Sequence, residues 1–224
     1  VQKNLGVALH ESVSNPHFYA GALDGHAAGL EGLYVGDHHA TPVPYYQNAP
    51  ILGRIAADWP DRRFGALWLL PLWHPLVVAE QVGTLASLGT GTFVFQCAIG
   101  GGEDQFGPMG VPLTGRGARF EAGLEAVKAL LAGEVVDDPD GPWGLRQARI
   151  SPTPPEPVEV WIGGAGPKAL ARAARMGDTW YAGPELTDAD AAAKLAEYLD
   201  LGPERVERRI GEFLARDTRA HRHA

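Results

Sequence analysis

The chain has 224 residues, which is enough for one domain of moderate size or two small ones. Its hydrophobic content of 45% and charged content of 21% are those of an ordinary globular protein. The formal net charge of −8 argues against nucleic acid and anionic membrane surfaces as partners, because an acidic surface repels both.

Six short apolar segments have the composition of buried strands, and each leads into a segment with helical spacing. Several are apolar throughout, as expected for parallel strands covered on both faces. They are Leu5–Leu9, Gly32–Gly36, Phe64–Leu70, Thr92–Ile99, Val158–Ile162 and Thr179–Ala182. The alternation predicts an α/β fold with a parallel sheet. Six units suit an open doubly wound sheet and fall short of a closed (β/α)8 barrel, so the count leaves both topologies open.

The helical segments carry start and stop signals. Pro75 stands in a first turn, Thr187 is a candidate N-cap followed by acidic residues, and Gly177 ends the helix that begins at Pro167. The Pro-rich segment 137–157 interrupts the alternation. We interpret it as a long surface loop within a single domain that spans residues 1–224.

The single cysteine and the apolar segments indicate in which cellular compartment the protein is expected. Cys97 lies in an apolar run, which favours a core position, and a single cysteine excludes an internal disulfide and fits a reducing compartment. The most apolar segment, Gly65–Val78, is interrupted by Pro71, His74 and Pro75 well before the roughly 20 residues that span a membrane. We therefore expect a soluble cytoplasmic protein without a membrane partner.

Polar residues and glycines follow the predicted strands at their carboxyl ends, where the active sites of parallel sheets lie. They are His10 after the first strand, Asp37, His38 and His39 after the second, His74 after the third, Gly100–Gly102 after the fourth and Gly163–Gly166 after the fifth. This grouping predicts a functional site at that edge of the sheet.

Three interpretations of the Asp37–His38–His39 sequence stay open on the residues alone. A metal-dependent hydrolase would use Asp and His as ligands, but His10 and Glu11 do not supply the second motif that such enzymes need. A structural role, with His39 hydrogen-bonded beneath a loop, is the second interpretation. In the third, His38 is a general acid or base or a hydrogen-bond donor to substrate, because histidine exchanges protons near neutral pH.

The segment Val160–Ala174 has the form of a turn between a strand and a helix. Gly164, Gly166 and Ala169 match the dinucleotide fingerprint G-x-G-x-x-G/A, but too little chain follows to build the rest of a nucleotide-binding half. A helix start approached through glycine can instead bind a single phosphate monoester through its free N–H groups. A plain tight turn is the remaining alternative.

Four segments, together about two thirds of the chain, resemble the luciferase-like flavin monooxygenases: 32–42, 67–102, 110–134 and 158–183. The resemblance implies a TIM-type (β/α)8 barrel, here shortened, that binds FMN or, alternatively, the deazaflavin coenzyme of the F420 type. It implies a flavin-dependent oxidoreductase or monooxygenase without a metal ion. In such an enzyme reduced flavin reacts with oxygen or transfers hydride to a small organic substrate.

The resemblance also implies site residues. His38 aligns with the histidine that acts as acid or base near the flavin ring. The peptide Ala66–Leu67 falls where the family has a strand bulge with a non-proline cis bond beneath the ring. The phosphate-binding positions are Gly163, Gly164, Ala165 and Gly166, and the secondary or substrate positions are His10, His39 and Gly100. We interpret Trp68, Trp73 and Phe106 as core residues in preference to the lining of an apolar substrate pocket.

The length of the chain bears on whether the protein is an enzyme or a non-catalytic flavin-binding protein. Pro203–Ala215 resembles the last helix of the family, yet it follows Leu199–Gly202 almost directly. A naturally shortened barrel favours a non-catalytic flavin-binding protein of the same fold, whereas residues missing near Leu201 would leave the enzyme. The resemblance further implies a homodimer and a separate flavin reductase as a partner.

Overall fold

The structure is a computed structural model that describes residues 7–8, 27, 29–42, 45–59, 61–183 and 185–202. His10 and the predicted helix Pro203–Ala215 lie outside these residues. The chain forms two compact units, Val1–Glu159 and Val160–Ala224. Within the described residues, none of the helices is both long and apolar enough to cross a membrane.

The first unit is built on a parallel sheet whose strands alternate with helices, which confirms the predicted α/β alternation. Its elements are β1 (Val7–Ala8), β2 (Gly32–Val35), α1 (Asn48–Ala56), β3 (Arg63–Leu69), a 3-10 turn (Leu70–Leu72), α2 (Pro75–Ala86), β4 (Phe93–Ala98), α3 (Glu103–Phe106), α4 (Arg116–Leu131), β5 (Val136–Asp138) and β6 (Leu145–Ala148). The strands pair in the order β1-β2-β3-β4.

The register of β3 against its neighbours is regular. Its residues from Phe64 to Leu69 pair one to one with β4, whereas β2 ends opposite Ala66. Most residues of β3 and β4 are apolar, as expected for strands covered on both faces. Buried side chains from the sheet include Leu33, Phe64, Trp68, Val94, Phe95 and Cys97. The prediction of a core position for Cys97 is confirmed.

Helices α2 and α4 pack against each other in this unit. Pro75 occupies the first turn of α2, where its missing N–H costs nothing. Helix α4 buries a stripe of residues at helical spacing, namely Phe120, Leu124, Val127 and Leu130. Burial of this stripe fixes which face of α4 packs inward, on the side of α2.

The segment interpreted as a Pro-rich loop is only partly irregular. Strands β5 and β6 form an antiparallel hairpin in which Val136 pairs with Ala148 and Asp138 pairs with Leu145. Leu145 and Ala148 are buried, although polar and proline residues surround them in the sequence. The expectation of a continuous loop over 137–157 is therefore wrong for its first half, because isolated apolar residues give no visible period.

The second unit contains β7 (Glu159–Gly163), α5 (Pro167–Met176), β8 (Thr179–Tyr181) and α6 (Asp188–Leu201), and β7 and β8 are parallel. Gly177 follows α5, and its N–H donates to the Ala173 carbonyl at 3.0 Å. The Thr187 side chain accepts a hydrogen bond from the Asp190 N–H at 3.2 Å and caps α6. Both predicted helix signals are confirmed.

Candidate active site

The loop after β2 carries Asp37, His38 and His39, whose side chains have different surroundings. Asp37 and His39 are buried, with exposed fractions of 7% and 8%, whereas His38 is half-buried. Because β2 ends before β3 does, this loop lies beside the carboxyl end of β3. That edge is where active sites of parallel sheets are found.

The Asp37 carboxylate anchors the loop. Its Oδ2 accepts hydrogen bonds from the Leu69 backbone N–H and from the Trp73 indole N–H, each at 2.8 Å. Its Oδ1 lies 3.3 Å from His39 Nε2. Two donors thus satisfy Oδ2, whereas Oδ1 and His39 Nε2 form no hydrogen bond among the described residues. Asp37 therefore links the loop after β2 to the segment after β3.

His39 is held from three directions. Its backbone N–H donates to Gln105 Oε1 at 3.2 Å, and its ring meets the Trp73 ring edge-on, with 5.3 Å between centroids. Its Nε2 faces the Asp37 carboxylate. These contacts favour the structural interpretation for His39, as a side chain fixed beneath a loop.

His38 has a different environment. Its ring is tilted against Tyr45 at a centroid distance of 5.5 Å, and its backbone carbonyl accepts a hydrogen bond from Gln47 Nε2 at 3.4 Å. The side chain is half-buried, so the imidazole remains accessible. Of the two histidines, His38 has the more exposed imidazole.

Ala66 and Leu67 lie at the carboxyl end of β3, but without the bulge and cis bond that the resemblance implied. The peptide bond between them is trans, and both residues keep their one-to-one partners on β4. A bulge requires an extra unpaired residue, and this ladder has none. The Leu67 carbonyl accepts a hydrogen bond from Asn48 Nδ2 at 2.6 Å. The expected bulge and cis bond are therefore wrong for this chain.

The loop after β4 contains Gly100 in a left-handed conformation, at φ 63°. A β-carbon there would lie 3.4 Å from side-chain carbons of Leu69 and Phe106. These two residues and Leu72 form an apolar cluster, here called the strand-end cluster, against which further half-buried side chains pack: Leu67, Trp73, Ala98, Val111 and Leu113. This edge of the sheet is thus apolar around a buried carboxylate.

The core interpretation of the three large aromatic residues is confirmed for two of them. Trp68 and Phe106 are fully buried. Trp73 is only half-buried, and its indole N–H donates a hydrogen bond to Asp37. Trp73 therefore belongs to the edge of the candidate site rather than to the core.

The turn of the second unit joins β7 to α5 through Gly163–Gly166. Gly164 has φ 120°, which side chains rarely adopt, and its carbonyl accepts a hydrogen bond from the Trp180 indole at 2.8 Å. Gly166 is the N-cap residue of α5, and a β-carbon there would meet no atom within 4 Å. Ala165 is half-buried. The turn leaves open space beside Gly166 at the start of α5.

Two perturbed titratable groups lie in the first unit outside the Asp37 loop. Burial raises the pKa of Tyr34, while the nearby Arg63 guanidinium acts in the opposite direction. Burial also lowers the pKa of Arg119. In the part of the chain that the structure describes, no group of three or more His, Cys, Asp or Glu side chains is placed to hold a metal ion.

Sequence reasoning missed two residues that hold this site together, Asn48 and Gln105, and the partner of a third, Asp37. Asn48 was visible only as a helix start before Pro50, and Gln105 carried no signal at all. Asp37 was visible, but its partner Trp73 is 36 positions away in the sequence. Side chains that organise a site through long-range hydrogen bonds leave no local pattern.

Comparison with known proteins identifies the family to which the chain is similar. The sequence model of the luciferase-like monooxygenase family matches residues 21–215. The F420-dependent glucose-6-phosphate dehydrogenase of Beutenbergia cavernae is 32% identical over 166 residues, which cover 67% of this chain and 47% of that protein. The chain spans about half the length of the curated relatives it matches.

Solved structures share the fold. Monooxygenase RslO1 from Streptomyces bottropensis matches with a TM-score of 0.71 at 19% identity, over 89% of this chain and 66% of that one. The oxygenating constituent of 3,6-diketocamphane monooxygenase from Pseudomonas putida, solved in complex with FMN, matches with a TM-score of 0.67 at 13% identity, over 89% and 60%. These likenesses confirm the predicted α/β fold of the TIM-barrel class.

Proposed function

The chain belongs to the luciferase-like monooxygenase family, and we propose that it acts as a flavin- or deazaflavin-dependent oxidoreductase on a small organic substrate. The observation that carries this proposal is the half-buried His38 imidazole, held between the buried residues Asp37 and His39 at the carboxyl end of a parallel sheet. A proton-exchanging group on a fixed backbone at that edge is what acid–base chemistry needs.

His38 serves in this proposal as general acid or base. When bound, a flavin-type coenzyme supplies the electron or hydride transfer. The imidazole delivers or takes the accompanying proton, and the strand-end cluster lies at the same edge of the sheet. Leu67, Trp73 and Ala98 are half-buried apolar residues of that cluster or in contact with it. Apolar walls beside a polar group suit a small organic substrate.

The turn Gly163–Gly166 is proposed to bind the terminal phosphate that FMN carries, or the phosphate group of F420. The residues fit an anion: the space beside Gly166 is open, no acidic residue lies in the first turn of α5, and Lys168 is exposed there. Helix N-termini attract anions through their free N–H groups. Gly164, at φ 120°, adopts a backbone conformation in this turn that L side chains rarely allow.

Both coenzymes stay in the proposal. The similar protein of Beutenbergia cavernae is F420-dependent by its name, and the similar monooxygenase of Pseudomonas putida was solved with FMN. The first measurement is therefore binding of the purified chain to FMN and to F420, followed by fluorescence. Binding of either one supports the proposal, and binding of neither contradicts it.

The second measurement compares oxidation of the reduced coenzyme by wild type, His38→Asn and His74→Asn in the presence of short aldehydes and ketones. His74 is exposed and makes no side-chain cap to α2, so its variant is the matched control. Loss of an acid–base group lowers the rate by about 100-fold or more, and the control is expected to match wild type. Tight binding without turnover in wild type would favour a non-catalytic flavin-binding protein instead.

Two partner proposals come from the family. We propose that the chain forms a homodimer and receives reduced coenzyme from a separate reductase when FMN is used. Light scattering on a sizing column measures the first, with a mass of about twice the chain's 23.9 kDa expected. The second is tested by adding a flavin reductase and NADH in place of chemically reduced FMN.

A further inference from the structure

We propose that Asp37 is a positioning residue whose carboxylate replaces a missing strand partner of β3, holds the Trp73 indole and thereby fixes the backbone that presents His38. The inference rests on the proposed function, because His38 is its acid–base residue. Asp37 itself is buried and is assigned no contact with coenzyme or substrate.

The free edge of β3 shows why a side chain is needed there. Strand β2 ends at Val35, opposite Ala66, whereas β3 continues to Leu69. Beyond that point the backbone groups of β3 that face β2 have lost their strand partner. Two side chains take its place: Asn48 Nδ2 donates to the Leu67 carbonyl at 2.6 Å, and Asp37 Oδ2 accepts from the Leu69 N–H at 2.8 Å.

The same carboxylate oxygen holds Trp73. The indole N–H donates to Asp37 Oδ2 at 2.8 Å, and the Trp73 ring packs edge-on against His39. The other oxygen faces His39 Nε2 at 3.3 Å. Asp37, Trp73 and His39 therefore form a closed set of contacts that joins the ends of two strands.

A third strand end is linked through Gln105. Its Oε1 accepts from the His39 N–H at 3.2 Å, and its Nε2 donates to the Gly101 carbonyl at 3.4 Å. Both sequence neighbours of His38 are thus fixed by buried contacts, while the His38 ring stays half-exposed. This frame fixes the backbone from which the imidazole projects, and small displacements of a reacting group can cost up to about 100-fold in rate.

The test compares Asp37→Leu with Asp37→Asn. Asparagine keeps the shape and one carbonyl oxygen, which can accept from both the Leu69 N–H and the Trp73 indole, so it should rescue positioning. Leucine removes both hydrogen bonds. Asp140→Asn, at an exposed position in the β5–β6 hairpin, is the control.

Three readouts are measured on each variant. Hydrogen exchange of peptide 67–73, without coenzyme, reports the Leu69 N–H. The imidazole NMR signals of His38, assigned with His38→Asn, report ring orientation. The rate of oxidation at saturating reduced FMN or F420, alongside the dissociation constant, separates turnover from binding.

For Asp37→Leu we expect about 10-fold faster exchange or more, a shifted or broadened His38 signal, and a 10- to 100-fold lower rate with affinity changed less than 3-fold.

Two results would overturn the inference. In the first, Asp37→Leu shows the same hydrogen-exchange rate as wild type and an unchanged His38 signal. In the second, Asp37→Asn is as impaired as Asp37→Leu, which would point to the charge itself. Should Asp37→Leu fail to fold, Trp73→Phe removes one of the two donors while keeping an aromatic ring. A Trp73→Phe variant with an unchanged His38 signal also contradicts the inference. Failure of the proposed function appears separately, as wild type that binds neither FMN nor F420.

Discussion

The Asn48 carboxamide joins the start of a helix to the end of a strand. Its Nδ2 donates to the Leu67 carbonyl at 2.6 Å, and its Oδ1 accepts from the N–H of Ala49 at 2.6 Å. The residue is 1% exposed, so neither bond can be replaced by water without rearrangement. One buried side chain thus sets the distance between α1 and β3 at the edge that carries the candidate site.

Replacement of Asn48 by alanine is expected to lower the free energy of unfolding by about 2–4 kcal/mol. A buried polar group left without a partner costs about 1–3 kcal/mol, and here the Leu67 carbonyl and the Ala49 N–H both lose theirs. Urea unfolding measures the change. Gln47→Ala, at the exposed neighbouring position, is the matched control and should change stability by less than about 0.5 kcal/mol. Equal stability of both variants would contradict the anchoring role of Asn48.

Arg119 is expected to couple helix α4 to the β5–β6 hairpin. Its Nε donates to the Pro71 carbonyl at 2.9 Å, and its guanidinium lies 4.5 Å from the centroid of the Trp143 ring. The variants Arg119→Met, Trp143→Leu and the double variant form a cycle whose coupling free energy we expect at about 0.5–2 kcal/mol. Thermal unfolding at constant pH measures it. Additive effects of the two substitutions would show that the stacking contributes nothing.

Elements with a dense local signal could be predicted from the sequence, whereas long-range contacts could not. The apolar runs of β3 and β4 and the caps at Gly177 and Thr187 depend on neighbouring residues, and each was correctly predicted. The β5–β6 hairpin was missed because its few buried residues alternate with exposed polar ones over only three or four positions. Prolines nearby made the segment look irregular throughout.

The candidate site likewise has features that could be predicted from the sequence and features that could not. The position of His38 after a buried strand followed from the order of elements, and its environment did not. The roles of Asp37 and Gln105 depend on partners 32 and 66 positions away, which no periodicity reveals. The bulge expected at Ala66–Leu67 came from family resemblance alone, and the regular pairing of β3 with β4 removes the extra residue that it requires.

Alkaline conditions are expected to destabilise the fold through Tyr34. Burial raises the pKa of this phenol, so the folded state keeps its proton while the unfolded chain releases it near pH 10. The contribution of Tyr34 to stability is therefore fully present below about pH 10 and is lost as the pH rises further, with a slope of up to about 1.4 kcal/mol per pH unit. Tyr34→Phe removes this proton. Urea unfolding between pH 8 and 11 should show a shallower decline in Tyr34→Phe than in wild type, and parallel curves would contradict the assignment.

Gly164 and Gly166 in the β7–α5 turn are expected to respond differently to substitution. Alanine at Gly164 would adopt an unfavourable φ of 120° and place its β-carbon 2.8 Å from that of Ala169, so Gly164→Ala should destabilise the protein by about 1–3 kcal/mol. Gly166 has φ −77° and open space beside it, so Gly166→Asp should fold with nearly wild-type stability. Its added negative charge would, however, oppose a bound phosphate at the start of α5.

The comparison of FMN with riboflavin isolates the phosphate, since the two differ by that group alone. If the turn binds the phosphate of FMN, Gly166→Asp should weaken FMN at least 10-fold and leave riboflavin within about 2-fold of wild type, because like charges at a helix start repel at short range. Gly166→Asn, of the same shape without the charge, is the control and should retain most of the FMN affinity. Fluorescence titration measures all six dissociation constants. An equal loss of FMN and riboflavin binding in Gly166→Asp would indicate a general distortion and would remove the turn from the phosphate site.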